Sequence, residues 1–274
     1  GKDLRLFSEL RATTPNDILV AMGGAGMREV QVGVESLSSR LLRKINKGTT
    51  AMNNMEIMKN CESPGTPNVT GNLILGFPSS DELDVAETLA CLEFIFPFRP
   101  LKGIPFWLGY GSGVFEMPDT YGIKRLRNHP CYAYFFPPEI LRGLRLMVQG
   151  YQGGIRYQNH IWKPVKKKLE EWRNTYRELH RVPGAGPILS YQDGHTFMII
   201  RQRRIGDYDM THRLQGTSRR IYLFCQTQRS LPQILSRFPG FGEEKVGSFL
   251  NMMVGKHLMF NEGEKYLSLA VRAR

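Results

Sequence analysis

The sequence predicts a mixed α/β protein: parallel strands covered by helices, then a helical segment, then a small helical module closed by a hairpin. Three observations predict it. Strand-like and helix-like segments alternate with short links over the first hundred residues. A long amphipathic stripe of Trp162, Val165, Leu169, Trp172, Tyr176 and Leu179 follows at steps of three or four. Near the end, two short strand patterns flank a turn at Asn261-Glu262-Gly263-Glu264.

Leu4 to Leu10 reads as the first strand, and a strand so close to Gly1 predicts that the sequence begins inside a larger fold. Thr14-Pro15-Asn16 opens a helix that runs through Gly24, and Gly26 stops it. Glu29 to Val34 alternates, with Val30, Val32 and Val34 on one face. Ser38 caps a short helix from Ser39 to Ile45, ended by Gly48. A helix from Met52 to Glu62, a strand from Asn68 to Leu75 closing on Gly76-Phe77-Pro78, and a helix from Glu82 to Phe94 complete the alternation.

In such folds the binding residues collect at the carboxyl ends of strands. Three strand ends are therefore nominated: Glu9 with Arg11, Glu35 with Ser36, and Gly76-Phe77-Pro78. Ile104 to Leu108 reads as one more strand, leading into a Gly- and aromatic-rich loop over 109–118 and two helices. Arg181 to Pro187 reads as a linker. Beyond it come a hairpin around Asp193-Gly194, helices near 218–225, 231–237 and 243–256, and a hairpin from His257 to Val271. Three helices closed by a two-stranded wing make a winged-helix pattern. The expected domains are a β/α unit over 1–125, a helical connecting segment over 126–182, and the winged-helix-like module over 183–274.

The chain has 274 residues, 41% of them apolar and 23% charged, which excludes a disordered protein. No apolar run is long enough for a membrane span. Cys61, Cys91, Cys131 and Cys225 are too scattered for a zinc site, a cluster site or a disulfide framework, so a reducing cytoplasm is the expected setting. The net charge of +12 suits nucleic acid, an acidic peptide or an anionic cofactor, and an ordinary solvated face is the better reading of any single basic cluster.

The weaker motifs reduce to structure. Gly109-Tyr110-Gly111-Ser112-Gly113 has Val114 where a phosphate loop needs its third glycine. Asp193-Gly194-His195 resembles the Asp-x-His-x-x-Gly signature of histidine-ligated cobalamin proteins, but Met198 fills the glycine position and the stretch reads as a turn. Glu35-Ser36 stays open between two roles: a helix-capping pair, or a carboxylate and hydroxyl that bond a ribose diol or an ammonium group.

Phe7 to Ala12, Val30 to Ser38, Leu41 to Gly48 and Asn72 to Pro78, taken in order, resemble the back half of a radical S-adenosylmethionine barrel. More narrowly they resemble the cobalamin-associated radical enzymes that mature ribosomally made peptides such as bacteriocins. Ile104-Pro105-Phe106, Tyr121-Gly122-Ile123, Asn128-His129-Pro130 and Tyr266 to Ala270 fit the same subfamily.

The resemblance implies that Gln31, Glu35 and Ser36 lie beside the ribose and methionine part of S-adenosylmethionine. It implies that Gly76, Phe77 and Pro78 pass along the adenine, and that Glu9 and Arg11 line the pocket. Carbon methylation of a precursor peptide is the implied reaction, and the carboxyl-terminal module resembles domains that hold a leader peptide as an added strand. The family's Cys-x-x-x-Cys-x-x-Cys loop and its cobalamin domain have no counterpart here. The four-iron four-sulfur cluster, and cobalamin where it is used, would therefore be held outside this chain, in an upstream part or a separate subunit, and this chain alone is expected to be inactive. The alternative is a non-catalytic subunit that presents a leader peptide to a separate catalytic chain. Nucleic acid is not the expected partner, since the barrel motifs have no place in that reading.

Overall fold

The computed structural model describes residues 6–182, 184–206 and 208–273. Leu4 and Arg5, assigned above to the first strand, lie outside the described residues. The first unit runs β1 (Phe7–Leu10), α1 (Asn16–Gly24), β2 (Glu29–Val32), α2 (Ser39–Lys44), α3 (Ala51–Cys61), β3 (Asn68–Thr70), β4 (Asn72–Leu75), α4 (Glu82–Ile95) and β5 (Lys102–Pro105). The alternation read from the sequence follows from its apolar spacing. Val30, Val32 and Val34 are all buried on the helix-covered face. Thr50 and Asp81 close capping boxes on α3 and α4.

β1 pairs with β2, β2 with β3, and β4 with β5, all in parallel. Two short sheets result, and Glu35 joins them. Its N–H donates to Asn72 O at 3.1 Å, and its carbonyl accepts from Ile74 N–H at 2.9 Å. The described residues form this open parallel array and no closed barrel.

Two strands expected as single elements are split. Asn68 to Leu75 breaks at Gly71, where a Cβ would stand 2.7 Å from Val32 O; the close approach of β2 requires a glycine there. Ile104 to Leu108 divides between β5 and β6 (Leu108–Gly109), which belong to different sheets. Expected strand Glu29 to Val34 ends at Val32, because Glu35 turns to a φ of 61° to reach β4.

The middle of the chain holds β6, α5 (Gly113–Glu116), β7 (Lys124–Asn128), α6 (Pro138–Gly143), β8 (Val148–Gln152), α7 (Ile155–Ile161) and α8 (Lys163–Leu179). β6 and β7 flank β8 in an antiparallel sheet, so the segment expected to be helical over 126–182 also carries β8 and most of β7. Val165, Leu169 and Trp172 of α8 are buried, and Trp172 Nε1 donates to Phe98 O at 2.9 Å. That bond fixes α8 beside the loop that enters β5.

The remainder runs β9 (Leu189–Asp193), β10 (Phe197–Gln202), β11 (Met210–Gln215), α9 (Gly216–Phe224), β12 (Arg229–Ser230), α10 (Leu231–Arg237), α11 (Glu243–Gly255), β13 (Met259–Glu262), β14 (Lys265–Ser268) and β15 (Val271–Arg272). The hairpin β9–β10 forms as its turn residues predict. The sequence reading missed β11, whose polar sequence alternates weakly. It also placed Val271 in the last hairpin, whereas Val271 leaves it to pair in parallel with Ser190 of β9. α9, β12, α10 and α11 lead into the β13–β14 hairpin, with strand order β12-β14-β13.

One continuous apolar core runs from Ala12 to Ala270. Polar bonds stitch α3 to the last module: Glu262 accepts from Met52 N–H at 2.8 Å, Glu56 from Gln228 N–H at 3.0 Å, and the buried Lys59 ammonium donates to Gln226 O.

Candidate functional site

The parallel register fixes which site residues can be neighbours. Glu9 stands opposite Gln31, which stands opposite Thr70, so these three side chains share the face turned away from the covering helices. Glu9 and Arg11 are exposed. Gln31 lines a cavity of about 910 Å³ together with Thr70 and Asn72.

Glu35 sits where β2 leaves its own sheet and bridges to Leu73. Its φ of 61° is unusual for a residue with a side chain, and backbone bonds on both sides hold it there. Its carboxylate accepts from Lys47 Nζ at 3.1 Å and keeps 27% of its side-chain surface exposed. A further anionic group there would meet an already paired lysine; an ammonium or hydroxyl group would find a free acceptor oxygen.

Ser36 is 3% exposed, and its hydroxyl accepts from Ser38 N–H at 3.0 Å. Ser38 caps α2, accepting from Leu41 N–H at 3.0 Å and donating to Glu87 at 2.7 Å. Asn54 Nδ2 holds the Ser36 carbonyl at 2.7 Å. The Ser36 hydroxyl thus shapes the turn that presents Glu35.

Gly76 follows β4 with a φ of +74°, which reverses the chain into Phe77 and Pro78. Phe77 is 3% exposed, edge-on to Phe106 at 5.0 Å and to Tyr121 at 5.6 Å. Behind this turn Ser80 Oγ lies 2.6 Å from Gln158 Oε1 and accepts from Trp162 Nε1 at 2.9 Å. These three supporting residues were not legible in advance, because α7 and the start of α8 reach the turn from eighty residues away. Lys47 was also missed; its only signal was a cation in the turn that closes α2.

A second network fixes the α2–α4 contact beside the same turn. Arg40 pairs with Asp81 at 2.5 Å and with Asp84 at 3.2 Å, and Lys44 pairs with both. Burial pushes the Asp81 carboxyl up, but hydrogen bonds from Lys44, the Asp84 contact of its capping box, and Arg40 together hold it well below the usual carboxylate range.

The cysteines do not fit an iron–sulfur cluster. Burial pushes the Cys61, Cys91 and Cys225 thiols up to about 12, the opposite of what a metal thiolate needs. No group of three or more metal-ligating side chains occurs among the described residues.

At the other end of the strands, Glu62 at the close of α3 accepts from Arg99 N–H at 2.5 Å, with the Tyr176 hydroxyl at 3.4 Å. Burial pushes this carboxyl up to about 7 against those bonds.

No family model matches the chain, and no curated protein matches it. Among solved structures it is similar to coproporphyrinogen III oxidase (HemN) from Escherichia coli, described as a radical SAM enzyme. That similarity has 12% identity and a TM-score of 0.39 over 97% of this chain and 66% of that one. It is also similar to the archaeal Methanocaldococcus infernus Elp3 with an N-terminal deletion, at 14% identity and a TM-score of 0.38, over 96% of this chain and 77% of that one. The chain thus spans just under two thirds of the length of the first. No helix among the described residues is long and apolar enough to cross a membrane.

Proposed function

We propose that this chain is the cofactor-orienting portion of a radical S-adenosylmethionine enzyme that modifies, by carbon methylation, a ribosomally made precursor peptide. One observation carries the reading. Glu35 is hydrogen-bonded on both sides into β4, which sets its carboxylate beside the strand that ends on Gly76, Phe77 and Pro78. Three motif segments far apart in sequence thereby become neighbours. Glu35, held by Lys47 and strained at its backbone, would accept from the ammonium or ribose of the cofactor. Gln31 and, one strand over, Glu9 and Arg11 would extend that contact, while the Gly76 turn offers backbone groups to the adenine. Ser36 supports this arrangement from behind.

The cofactor supplies the carbon radical; what these residues do is orientation and water exclusion. The cluster ligands belong outside this chain, since its own thiols do not fit, and cobalamin would be held outside it as well. We read α9 through β14 as a winged-helix module for the leader peptide.

The test is reconstitution with an upstream segment that carries a three-cysteine loop. The expected result is release of 5′-deoxyadenosine, with Glu35→Ala weakening S-adenosylmethionine binding by about tenfold, or ~1.4 kcal/mol. Unchanged cofactor affinity in that variant would remove Glu35 from the site.

The second reading, a presenting subunit, is favoured by one feature. β11 is an edge strand carrying Arg213, next to β10 with Arg201, and an acidic extended peptide could add to it. A peptide complex that forms without the upstream segment, and no cofactor binding, would select it.

A further inference from the structure

The cavity of about 910 Å³ beside the amino ends of β4 and β5 has an unusual charge balance. Arg99 and Lys102 enter it from the loop and first residue of β5, and Arg173 and Arg177 enter it from one face of α8, a turn apart. Among the described residues no carboxylate lines it. None of these four cations is ion-paired among the described residues. The Arg99 side chain donates to the neutral Asn68 Oδ1 at 3.0 Å and lies over the Tyr176 ring, 6.0 Å from its centroid. Arg99 meets Glu62 through its backbone N–H, and its guanidinium charge favours the Glu62 carboxylate without forming a salt bridge to it. Gln31 and Asn72 supply neutral amides on the sheet side.

Four like charges gathered in one concavity repel each other, and among the described residues no salt bridge offsets them; Glu62, beside Arg99, is the nearby acid. Three of the four are guanidinium groups, whose planar forks match the paired oxygens of phosphate or carboxylate. The cations converge on a hollow rather than running along a ridge, so they suit a compact ligand more than the backbone of a polymer. A hollow of this volume is in the range of small-molecule sites, and its amides could bond the uncharged remainder of such a ligand.

We propose that this cavity is a binding site for a small phosphorylated molecule bearing at least two negative charges, gripped by Arg99, Lys102, Arg173 and Arg177. The cavity shares Gln31 with the cofactor reading and adjoins Glu35 through Asn72, whose carbonyl accepts from Glu35 N–H, but its four cations take no part in that reading.

Inorganic pyrophosphate is the probe, titrated calorimetrically into the 274-residue chain at fixed ionic strength. Saturable binding at one site is expected, weakened at least tenfold in the double variant Arg173→Gln/Arg177→Gln. The double variant Lys166→Gln/Lys167→Gln removes the same charge from exposed positions of the same helix outside the cavity, and its affinity is expected to stay within twofold. All four positions are exposed, so melting midpoints should match the parent and exclude misfolding as the cause. Absence of saturable binding overturns the proposal. Equal losses in the two double variants overturn it as well, leaving only net positive charge. Tighter binding of an oligonucleotide with both variants equally impaired would do the same in favour of a polymer surface.

Discussion

Two regions of the parallel unit settle their charges in opposite ways. At the carboxyl end Glu35 is paired with Lys47, and Asp81 and Asp84 are paired with Arg40 and Lys44. Before β3, at the close of α3, Glu62 is buried with a backbone N–H and a tyrosine hydroxyl as partners, while beside it four cations face one cavity with no acid among its described lining. Paired charges cost little and fix geometry, as the proposed cofactor site requires. Unpaired ones leave interaction energy for a ligand and make the fold sensitive to pH. The contrast assigns positioning to one end and capture of an anion to the other.

The largest expected effect breaks the carboxyl end. Trp162 is 2% exposed, and its indole N–H holds Ser80 behind the Phe77 turn. Trp162→Ala removes that bond and leaves a cavity, so denaturant unfolding should show a loss of about 3–5 kcal/mol. Arg173→Gln, at the exposed amino-end cavity, should change stability by no more than about 0.5 kcal/mol. Similar losses at both positions would erase the distinction between a built support and a free binding surface.

A smaller effect sharpens the amino end. The Glu62 carboxyl is pushed up to about 7 in the fold from an ordinary value of 4.5. A carboxyl raised by folding binds more protons folded than unfolded between those two values. Its contribution is therefore most favourable below about pH 4.5 and is lost as pH rises through about 7, on the order of 3 kcal/mol in all. Glu62→Gln keeps an acceptor for Arg99 N–H and removes the titration. Melting midpoints taken at pH 5 and pH 8 should differ less in the variant than in the parent. Asp81, at the paired end, has the reverse sign: held low, it stabilises above its unfolded value and loses that contribution only as the solution becomes strongly acidic.

How much of this was legible in the sequence follows the range of each interaction. The alternation of Val30, Val32 and Val34 and the cap at Ser38 are local, and they gave the order of strands and helices. Parallel pairing of β1, β2 and β3 followed from that order. The break at Gly71 was hidden, because it depends on Val32 O approaching from a strand nearly forty residues earlier. Arg173 and Arg177 carried no signal of their own in the sequence; only the docking of α8 through Trp172 onto Phe98 carries them to the cavity. Ser36 was open between a cap and a ligand contact, and the bond from Ser38 N–H shows its hydroxyl in the turn.

The smallest effect tests whether Lys47 holds Glu35 in place or only accompanies it. Both side chains stay about a third exposed, at 33% and 27%, so water screens the pair and its worth is within about 1 kcal/mol. The backbone, by contrast, fixes Glu35 through two bonds to β4 that the substitution leaves alone. Lys47→Met should therefore cost a few tenths of a kcal/mol, and the gap should shrink further in 1 M salt, as expected for an exposed ion pair. A loss above about 2 kcal/mol that persists in high salt would mean that the lysine, rather than β4, keeps Glu35 at its positive φ. In that case the carboxyl end would owe its order to a side-chain contact, and the division between a rigid end and an open one would have to be drawn elsewhere.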